Sequence, residues 1–565
     1  MRIKWQLGCN SGGTADDSVP LWGGIFLWKA ADPVPACWNL FWKGDADLYI
    51  ATNIPLLPST MELMAAEQVD VGQIDIDLPW SEVSHTADGL LLSGDGELPE
   101  MLYAARGKLA AIGLLNRDQR LLDVPQATAA GILVLEPLRG ESASQADFIL
   151  MKLLEAARES DYEPVELAGK RLGILGVGPA AKEVARRAQA FGLQVVFSAE
   201  ESSRVQAELY QAEILPTIDL LVSVDILVNL QTRAAGEGRF GKDEIQLLRE
   251  NAILIHIGDP QVLRMNELVR ALDWGYLKRF IIDLPPGYEA MQEVLAHYIG
   301  DAASVGAAGN TLEARRSIER EMARDLIHAL RGQAVDSTIN VPHLRLAERR
   351  LHAPWLRLAT LLGQMLGARL GHRPKQVDLT AGREAPRLNE MAVWSAFLEG
   401  LAHGLGDDRV NRISARIWAQ EAGIKLVWQA ESARIDGLSA TAGSLRGILE
   451  VGGSLRHNAL QLTRLDQFRF TAEPTEHLLL VPHANRPGMV GQVGTLLGAR
   501  QVNIGGMVLG QKEEARDIAL MWIMLDKPPK ADLLEKITAL SGMRQPEYIH
   551  LPQTLLTPLT DQMLV

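Results

Sequence analysis

A glycine-rich turn at residues 176–181 has the residue types and spacing of a phosphate-binding site. Its small residues are Gly176, Gly178 and Ala181, and it lies between an apolar run and a stretch of helical periodicity. In a strand–turn–helix unit, the first glycine permits the tight turn and the second lets the backbone approach a pyrophosphate. The third small residue allows close helix–strand packing, and the helix N-terminus attracts the phosphate charge. We therefore predict that Gly176, Gly178 and Ala181 bind a dinucleotide.

A dinucleotide site of this kind also needs an acidic residue for the adenosine ribose. That residue is expected about 20 residues beyond the turn, at the end of the second strand. The aligned position holds Ala199, and Glu200 follows it. Two interpretations stay open: Glu200 binds the ribose after a small shift of the chain, or it is a solvated loop carboxylate. The expected cofactor is NAD, with Glu200 as the candidate ribose ligand.

A second turn with binding chemistry lies at residues 485–494, near the C-terminus. Pro487 and Gly488 shape this turn. Its free backbone amides and the N-terminus of the following helix suit a small carboxylate. We also predict that Gly491 and Gly494 let this helix lie close to a sheet.

Alternating strands and helices must position these turns. Strands that are apolar throughout and are separated by helical stretches indicate parallel sheets covered on both faces. We predict strands at 48–51, 89–93, 110–115, 131–135, 171–175, 194–197, 226–229, 252–256 and 280–283. A long helix at 311–330 follows, and the chain beyond it again mixes α and β structure. It ends in a compact βαββαβ segment that opens at His477 and runs to about Leu551.

The composition excludes several classes of partner. The chain has 56 Lys and Arg against 70 Asp and Glu, for a formal net charge of −14. An acidic protein is repelled by phosphate backbones and anionic lipid, so we expect neither nucleic acid nor a membrane as a general partner. The two cysteines, Cys9 and Cys37, allow no disulfide framework in the main body, which fits a reducing cytoplasm. No apolar run reaches the roughly 18 residues of a membrane helix, and we predict no metal site.

Residues 1–47 differ from the rest of the 565-residue chain. They contain both cysteines and five of the 12 tryptophans, and turn formers interrupt any periodicity. Three interpretations stay open: a poorly ordered extension, translation from a start codon placed too far upstream, or a Trp-rich docking segment. We treat 1–47 as an atypical extension outside the predicted domains.

The segments 168–178 and 186–196 resemble the core of the D-isomer 2-hydroxyacid dehydrogenases, and the C-terminal half resembles the long-form D-3-phosphoglycerate dehydrogenases in particular. The resemblance runs from about Leu48 to about Leu551. It implies an α/β protein with a Rossmann-type doubly wound nucleotide domain inserted in a flavodoxin-like substrate domain. An α+β intervening domain and a βαββαβ ACT domain follow. The implied boundaries are 48–146 and 312–338 for the substrate domain, 147–311 for the dinucleotide-binding domain, 339–472 for the intervening domain and 475–551 for the ACT domain.

The resemblance implies three catalytic side chains, which this sequence lacks at the matching positions. An arginine should hold the substrate carboxylate, a glutamate should keep a histidine protonated, and that histidine should exchange the proton at the hydroxyl. These positions hold Asp259, Tyr288 and Gly306, respectively. Glu289 and His297 lie nearby in the sequence. Each of these two is either a displaced catalytic group or a surface residue.

The resemblance also implies a sensor in the ACT domain. Family members that sense serine hold it between two ACT domains. The matching positions are His483, Asn485 and Asn503, beside the turn residue Gly488. The usual acidic residue of the turn is Asn485 here, which accepts a hydrogen bond from an ammonium group but provides no charge. Two interpretations stay open: these residues bind a small amino acid such as serine, or the ACT pair serves only in dimerisation.

Two functions compete at this point. The first is a homologue of the serine-biosynthesis dehydrogenases without hydride-transfer activity, acting as a ligand-sensing or partner subunit. It would form a homo-oligomer or join an intact dehydrogenase. The second is an active NAD-dependent D-3-phosphoglycerate dehydrogenase with displaced catalytic residues. The residue types at Asp259, Tyr288 and Gly306 favour the first function, and the nearly full-length architecture favours the second.

Overall fold

A computed structural model shows the architecture of the chain. It describes residues 48–556, apart from 75–79, 95–100, 105–106, 117–121, 160–163, 200–210, 232–239, 278, 343–345, 384, 386–387, 433–436, 445–446 and 513–516. Residues 1–47 and Glu200 lie outside the described residues, so the predictions about them are not tested. Within the described part, no helix is long and apolar enough to cross a bilayer.

Five parallel strands and their connecting helices form the first sheet. The strands are β1 (Leu48–Thr52), β2 (Val69–Gln73), β3 (Gly89–Leu92), β4 (Ala111–Leu114) and β5 (Leu133–Leu135). The helices are α1 (Pro58–Ala66), α2 (Trp80–Thr86), α3 (Met101–Ala104) and α4 (Val124–Ala129). The strand order β2-β1-β3-β4-β5 is that of flavodoxin-like folds. The central strand β3 is buried along its whole length, as expected for a parallel sheet covered on both faces.

Seven parallel strands form the second sheet. The strands are β6 (Arg171–Leu175), β7 (Gln194–Ser198), β8 (Glu213–Leu215), β9 (Ile226–Asn229), β10 (Ile253–Ile257), β11 (Arg279–Leu284) and β12 (Ala303–Val305). The helices are α5 (Ser142–Ala156), α6 (Pro179–Ala190), α7 (Thr217–Ser223), α8 (Lys242–Leu247), α9 (Met265–Asp273) and α10 (Glu289–Ile299). The order β12-β11-β10-β9-β6-β7-β8 reverses between β6 and β9, which is the switch point of a Rossmann fold. The predicted doubly wound fold is therefore confirmed.

The helix α11 (Leu312–Leu330) returns the chain to the first sheet. Its residues Met322 and Leu326 are fully buried in one core with Ile50 of β1 and Leu91 of β3. The second sheet is consequently an insertion between β5 and α11, as the family resemblance implies.

Ten strands form a third, mixed sheet. The strands are β13 (Gln376–Gly382), β14 (Lys425–Ser432), β15 (Leu438–Ser444), β16 (Gly447–Arg456), β17 (Ala459–Leu465), β18 (Phe468–Ala472), β19 (His477–Ala484), β20 (Ile504–Lys512), β21 (Ile518–Leu525) and β22 (Glu547–His550). The helices are α12 (Leu346–Leu370), α13 (Glu390–Gly404), α14 (Ala415–Glu421), α15 (Met489–Ala499), α16 (Ala531–Thr538) and α17 (Gln553–Leu556). The sheet order is β14-β13-β15-β16-β17-β18-β20-β21-β19-β22.

One sheet and one apolar core join the intervening and C-terminal segments. β18 pairs with β20 through Phe468 opposite Lys512 and Arg469 opposite Gln511. The core beneath contains residues of α12 and of the C-terminal strands: Leu358, Leu362, Leu478, Trp522 and Ile549. These two segments therefore pack as one body on α12.

The predicted βαββαβ order is present in the segment from β19 to β22, but one prediction about its first helix is wrong. Gly491 and Gly494 do not lie against the sheet, because a β-carbon on either would meet no atom within 4 Å. The residues that α15 buries are Met489, Val493 and Leu497. These recur every four positions and define the core face of the helix, which leaves both glycines on the open side.

Candidate functional site

The candidate residues of the dinucleotide-binding segment follow strand ends at one edge of the second sheet. The turn 176–181 follows β6, Asp259 follows β10, Tyr288 follows β11 and Gly306 follows β12. Because these strands are parallel, their carboxyl ends lie at the same edge, where ligands bind in open α/β sheets.

The glycine turn has the geometry that a phosphate needs. Gly176 and Gly178 have φ angles of +99° and +137°, a region in which other residues are strained. A β-carbon on Gly176 would lie 2.7 Å from the carbonyl carbon of Leu230, whereas the space beside Gly178 is open. Ala181 is 1% exposed, in the core between helix and sheet. α6 begins directly after Gly178, so the unpaired amides of its first turn adjoin this open space.

The ribose side of the turn shows no carboxylate among the described residues. β7 ends at Ser198, and the exposed Ala199 follows it. The role of Glu200 stays a prediction. The described residues therefore fit the pyrophosphate part of a dinucleotide, and the ribose part depends on Glu200.

Asp259 uses its carboxylate to cap a short 3₁₀ helix. The helix spans Pro260–Val262, and Asp259 Oδ1 accepts a hydrogen bond from the Gln261 amide at 2.9 Å. The residue is half-buried beyond the end of β10. The position that the family resemblance assigns to a substrate-binding arginine thus presents a negative charge, which repels an anion.

Glu289 and His297 lie near opposite ends of α10. Glu289 is exposed, and its carboxylate accepts a hydrogen bond from the Gly287 amide at 2.9 Å. His297 is exposed in the last turn of α10, with its ring edge-on to that of Tyr298. Eight positions on one helix separate the two residues, a rise of about 12 Å. Tyr288 packs half-buried against the core of the sheet.

Gly306 lies in a turn that the buried Asp283 organises. Asp283 is 5% exposed, and its carboxylate accepts hydrogen bonds from the Ala307 and Ala308 amides at 2.9 Å each and from the Ser304 hydroxyl at 2.6 Å. Gly306 has a φ angle of +64°, so the turn favours glycine there. The position of the family's histidine is thus well ordered but carries no side chain.

Sequence analysis missed a buried histidine next to these positions. His256 of β10 is fully buried, and its neighbour in the sheet is the fully buried Asn229. Among the described residues, neither ring nitrogen of His256 has a hydrogen-bond partner of good geometry. Burial lowers the pKa of His256 to about 4, although nearby backbone groups of Asp259 and Asn229 favour the charged form. His256 is therefore neutral at pH 7 and enclosed in the sheet.

The C-terminal turn brings together three of the four predicted ligand-binding residues. Asn485 and Gly488 lie in the exposed turn after β19, where Gly488 has a φ angle of +90° and open space beside it. His483, near the end of β19, is 3% exposed, and its Nδ1 lies 3.1 Å from the carbonyl oxygen of Val481. α15 begins at Met489, so the amides of its first turn adjoin these residues.

Asn503 lies at the other end of the same sheet. β21 pairs with both β19 and β20, and Leu525 is opposite His477 in one pair and opposite Ile504 in the other. Asn503 is therefore level with the start of β19, whereas His483 is six residues, or about 20 Å, further along that strand. One chain alone does not complete the four-residue site.

Two segments of the chain match models of known protein families. Residues 138–294 match the NAD binding domain of the D-isomer specific 2-hydroxyacid dehydrogenases. Residues 351–437 match the intervening domain of D-3-phosphoglycerate dehydrogenase. The two matches lie in the second and third sheets.

The chain is also similar to D-3-phosphoglycerate dehydrogenases over most of its length. It is 25% identical to that of Archaeoglobus fulgidus over 480 residues, which cover 80% of this chain and 90% of that protein. It is 26% identical to that of a Synechocystis species over 510 residues, which cover 84% and 90%. Among solved structures, a 3-phosphoglycerate dehydrogenase of Entamoeba histolytica with bound NAD⁺ is 15% identical. That match covers 52% of this chain and 99% of the other, with a TM-score of 0.42.

Proposed function

We propose that this chain, a divergent relative of the long-form D-3-phosphoglycerate dehydrogenases, transfers no hydride and acts as a ligand-sensing or partner subunit. The observation that supports the proposal is the edge of the second sheet, where the three described positions that the resemblance assigns to catalysis hold none of the expected reactive groups. Asp259 caps a 3₁₀ helix, Tyr288 packs against the core, and Gly306 carries no side chain.

Hydride reduction of a 2-keto acid needs two kinds of help from a protein. A cation must hold the substrate carboxylate and polarise the carbonyl, and an acid must protonate the developing alkoxide. An acid of this kind contributes about 10²–10⁴-fold to the rate, and one donor at a developing oxyanion about 10²–10³-fold. Loss of both groups predicts a rate at least about 10⁴-fold below that of an intact enzyme.

NAD is the cofactor that the glycine turn would hold. Gly176 and Gly178 would admit the pyrophosphate, the first turn of α6 would donate amide hydrogen bonds to it, and Glu200 would bind the ribose. In an active dehydrogenase, NAD supplies or accepts the hydride. In this chain we propose that the dinucleotide is a bound ligand without a reaction partner.

The sensing part of the proposal rests on the C-terminal turn and on a second copy of the chain. The turn at Asn485 and Gly488 would bind the carboxylate and ammonium groups of a small amino acid such as serine. Within one chain, Asn503 lies about 20 Å from His483 along the sheet. A complete site would therefore take Asn503 of the partner subunit beside His483.

The purified protein is expected to oxidise no NADH above background with 3-phosphohydroxypyruvate, because Asp259 and Gly306 stand at the described positions where the cation and the acid are expected. The measurement is the loss of NADH absorbance. Circular dichroism must show that the protein is folded, and titration calorimetry with NAD measures nucleotide binding separately. A turnover number in the ordinary range of about 1–10³ per second would contradict the proposal and establish an active dehydrogenase with displaced catalytic residues.

L-Serine is expected to bind about tenfold more tightly to the Asn485→Asp variant than to the unmodified protein, because a carboxylate adds a charge-assisted hydrogen bond to the ammonium group. Titration calorimetry measures both affinities. Asn503→Ala should abolish binding, although Asn503 lies far from Asn485 within one chain. The exposed Asn251 provides a control as Asn251→Ala, which should bind as the unmodified protein does. Serine binding that survives Asn503→Ala, or no binding by any variant, would contradict the proposed serine site. Dimerisation would then be the remaining interpretation of the C-terminal segment.

A further inference from the structure

A cluster of three metal-ligand side chains lies at the end of the third sheet, away from the sites described above. It consists of Glu476, His477 and His550. The Nε2 atoms of His477 and His550 lie 3.9 and 3.5 Å from Glu476 Oε1. The two imidazole rings have centres 5.5 Å apart. One ligand atom from each residue thus lies within 4.8 Å of the other two.

The fold fixes the backbone of this cluster. His477 and His550 are direct neighbours across the antiparallel pair β19 and β22, so their side chains project from the same face. The next pair, Leu478 and Ile549, is 0% and 2% exposed on the opposite face, in the core with α12. The carbonyl oxygen of Glu476 accepts a hydrogen bond at 2.9 Å from the amide of the residue that follows His550. Both strands are therefore held where the three ligands converge.

Tyr548 orients the more buried histidine of the cluster. Its hydroxyl oxygen lies 2.8 Å from His477 Nδ1. When Nδ1 donates this hydrogen bond, the lone pair of Nε2 is free and faces Glu476. A polar partner behind a ligating histidine fixes its tautomer and orientation in metal sites.

We propose that Glu476, His477 and His550 bind one divalent transition-metal ion, with Zn²⁺ as the best fit. Two imidazoles and a carboxylate are a donor set for such ions, whereas Mg²⁺ and Ca²⁺ take oxygen ligands. Tetrahedral zinc with bonds of about 2.0–2.1 Å places neighbouring ligand atoms about 3.3 Å apart. The separations of 3.5 and 3.9 Å from Glu476 reach this value through small side-chain rotations. The half-exposed Glu476 and His550 side chains leave the fourth position to water.

The ion would link β22, the last strand of the sheet, to its neighbour β19. β22 lies at the edge of the sheet and pairs with β19 through four residue pairs, from His477–His550 to Leu480–Glu547. The ligands come from both of these strands at one end of that short pairing. The cluster is at the start of β19, whereas the turn at Asn485 follows its end, so metal and amino acid would occupy separate sites.

The untagged full-length protein is expected to bind one Zn²⁺ per chain, measured by titration calorimetry with ZnCl₂ after chelator treatment. His550→Gln and Glu476→Gln each remove a ligand and should weaken binding at least tenfold. Tyr548→Phe keeps all three ligands and should weaken binding about 10–100-fold through loss of orientation. His297→Gln, at an exposed histidine of α10, should bind as the unmodified protein does.

Two results would overturn the proposal. One is a stoichiometry well below one ion per chain. The other is an unchanged affinity in His550→Gln, which would place the ion elsewhere. The side chains of Glu476 and His550 are 46% and 54% exposed, so these variants should unfold at the same temperature as the unmodified protein without metal. Zn²⁺ should raise the unfolding temperature of the unmodified protein and leave that of His550→Gln unchanged.

Discussion

Replacing Arg369 by methionine is expected to lower the free energy of unfolding of the C-terminal half by about 3 kcal/mol, because breaking a buried ion pair leaves charges without partners. Arg369 lies near the end of α12 with its side chain 6% exposed. Its guanidinium donates two hydrogen bonds to Asp466, at 2.8 and 2.9 Å, and one to Glu547 at 2.8 Å. Burial opposes the charge of Arg369, but its bonds to Asp466 and the negative charges of Asp466 and Glu547 raise its pKa.

Urea unfolding followed by circular dichroism measures this effect. Arg369→Lys keeps the positive charge but lacks the planar guanidinium that hydrogen-bonds both carboxylates. An intermediate loss of the free energy of unfolding is therefore expected. The matched control is Arg409→Met, since Arg409 is 78% exposed in its ion pair with Asp407. Exposed pairs contribute about 0–1 kcal/mol. A loss below about 1 kcal/mol for Arg369→Met would show that hydration of the half-exposed Asp466 and Glu547 replaces the arginine.

Acidification from pH 6.5 to pH 4 is expected to lower the free energy of unfolding by about 3 kcal/mol through His256 alone. The pKa of His256 is lowered by burial from 6.5 to about 4 in the folded protein. Between these two values the unfolded chain binds a proton that the folded chain does not, so the folded state loses stability as the pH falls. Below pH 4 both states are protonated and the contribution stops growing. Above pH 6.5 it is absent.

The measurement is the free energy of unfolding against pH, compared between the unmodified protein and His256→Asn. The variant has no group that titrates at this position, so the difference between the two curves should change by about 3 kcal/mol across the window. Comparing the pH dependence rather than the absolute stability separates protonation from any repacking in the variant. Parallel curves would mean that His256 is protonated equally well in the folded protein. His297→Asn, at an exposed histidine, is the control and should leave the curve parallel.

The α/β architecture was predictable because its strands are apolar along their length. β3, predicted at 89–93 and found at Gly89–Leu92, and β10, predicted at 252–256 and found at Ile253–Ile257, are examples. A strand buried on both faces appears in the sequence as a continuous apolar run, whereas polar residues interrupt the apolar residues of a surface helix. His256 interrupts such a run. That interruption was the available signal for a buried titratable group, but a single polar residue does not reveal whether its partner atoms are present.

Features that depend on strand register were not predictable. The glycines of α15 face away from the sheet because Met489, Val493 and Leu497 occupy the core face of the helix. The cluster that includes His477 and His550 was not anticipated from the sequence, because these two residues are far apart in the chain. Only the pairing of β19 with β22 makes them neighbours. Pairing between distant strands is set by the packing of the whole sheet, which local residue spacing does not encode.

The continuous ten-stranded sheet determines how a movement of the C-terminal segment is transmitted through the chain. Since β18 hydrogen-bonds to β20 and α12 packs beneath both segments, the described residues show no hinge between the C-terminal turn and the intervening strands. Asn411, in the loop before α14, donates a hydrogen bond at 2.7 Å to the carbonyl oxygen of Gly131, beside the first sheet. A displacement of β20 would therefore move the intervening and C-terminal segments together, and the Asn411–Gly131 contact would transmit that movement toward the first sheet.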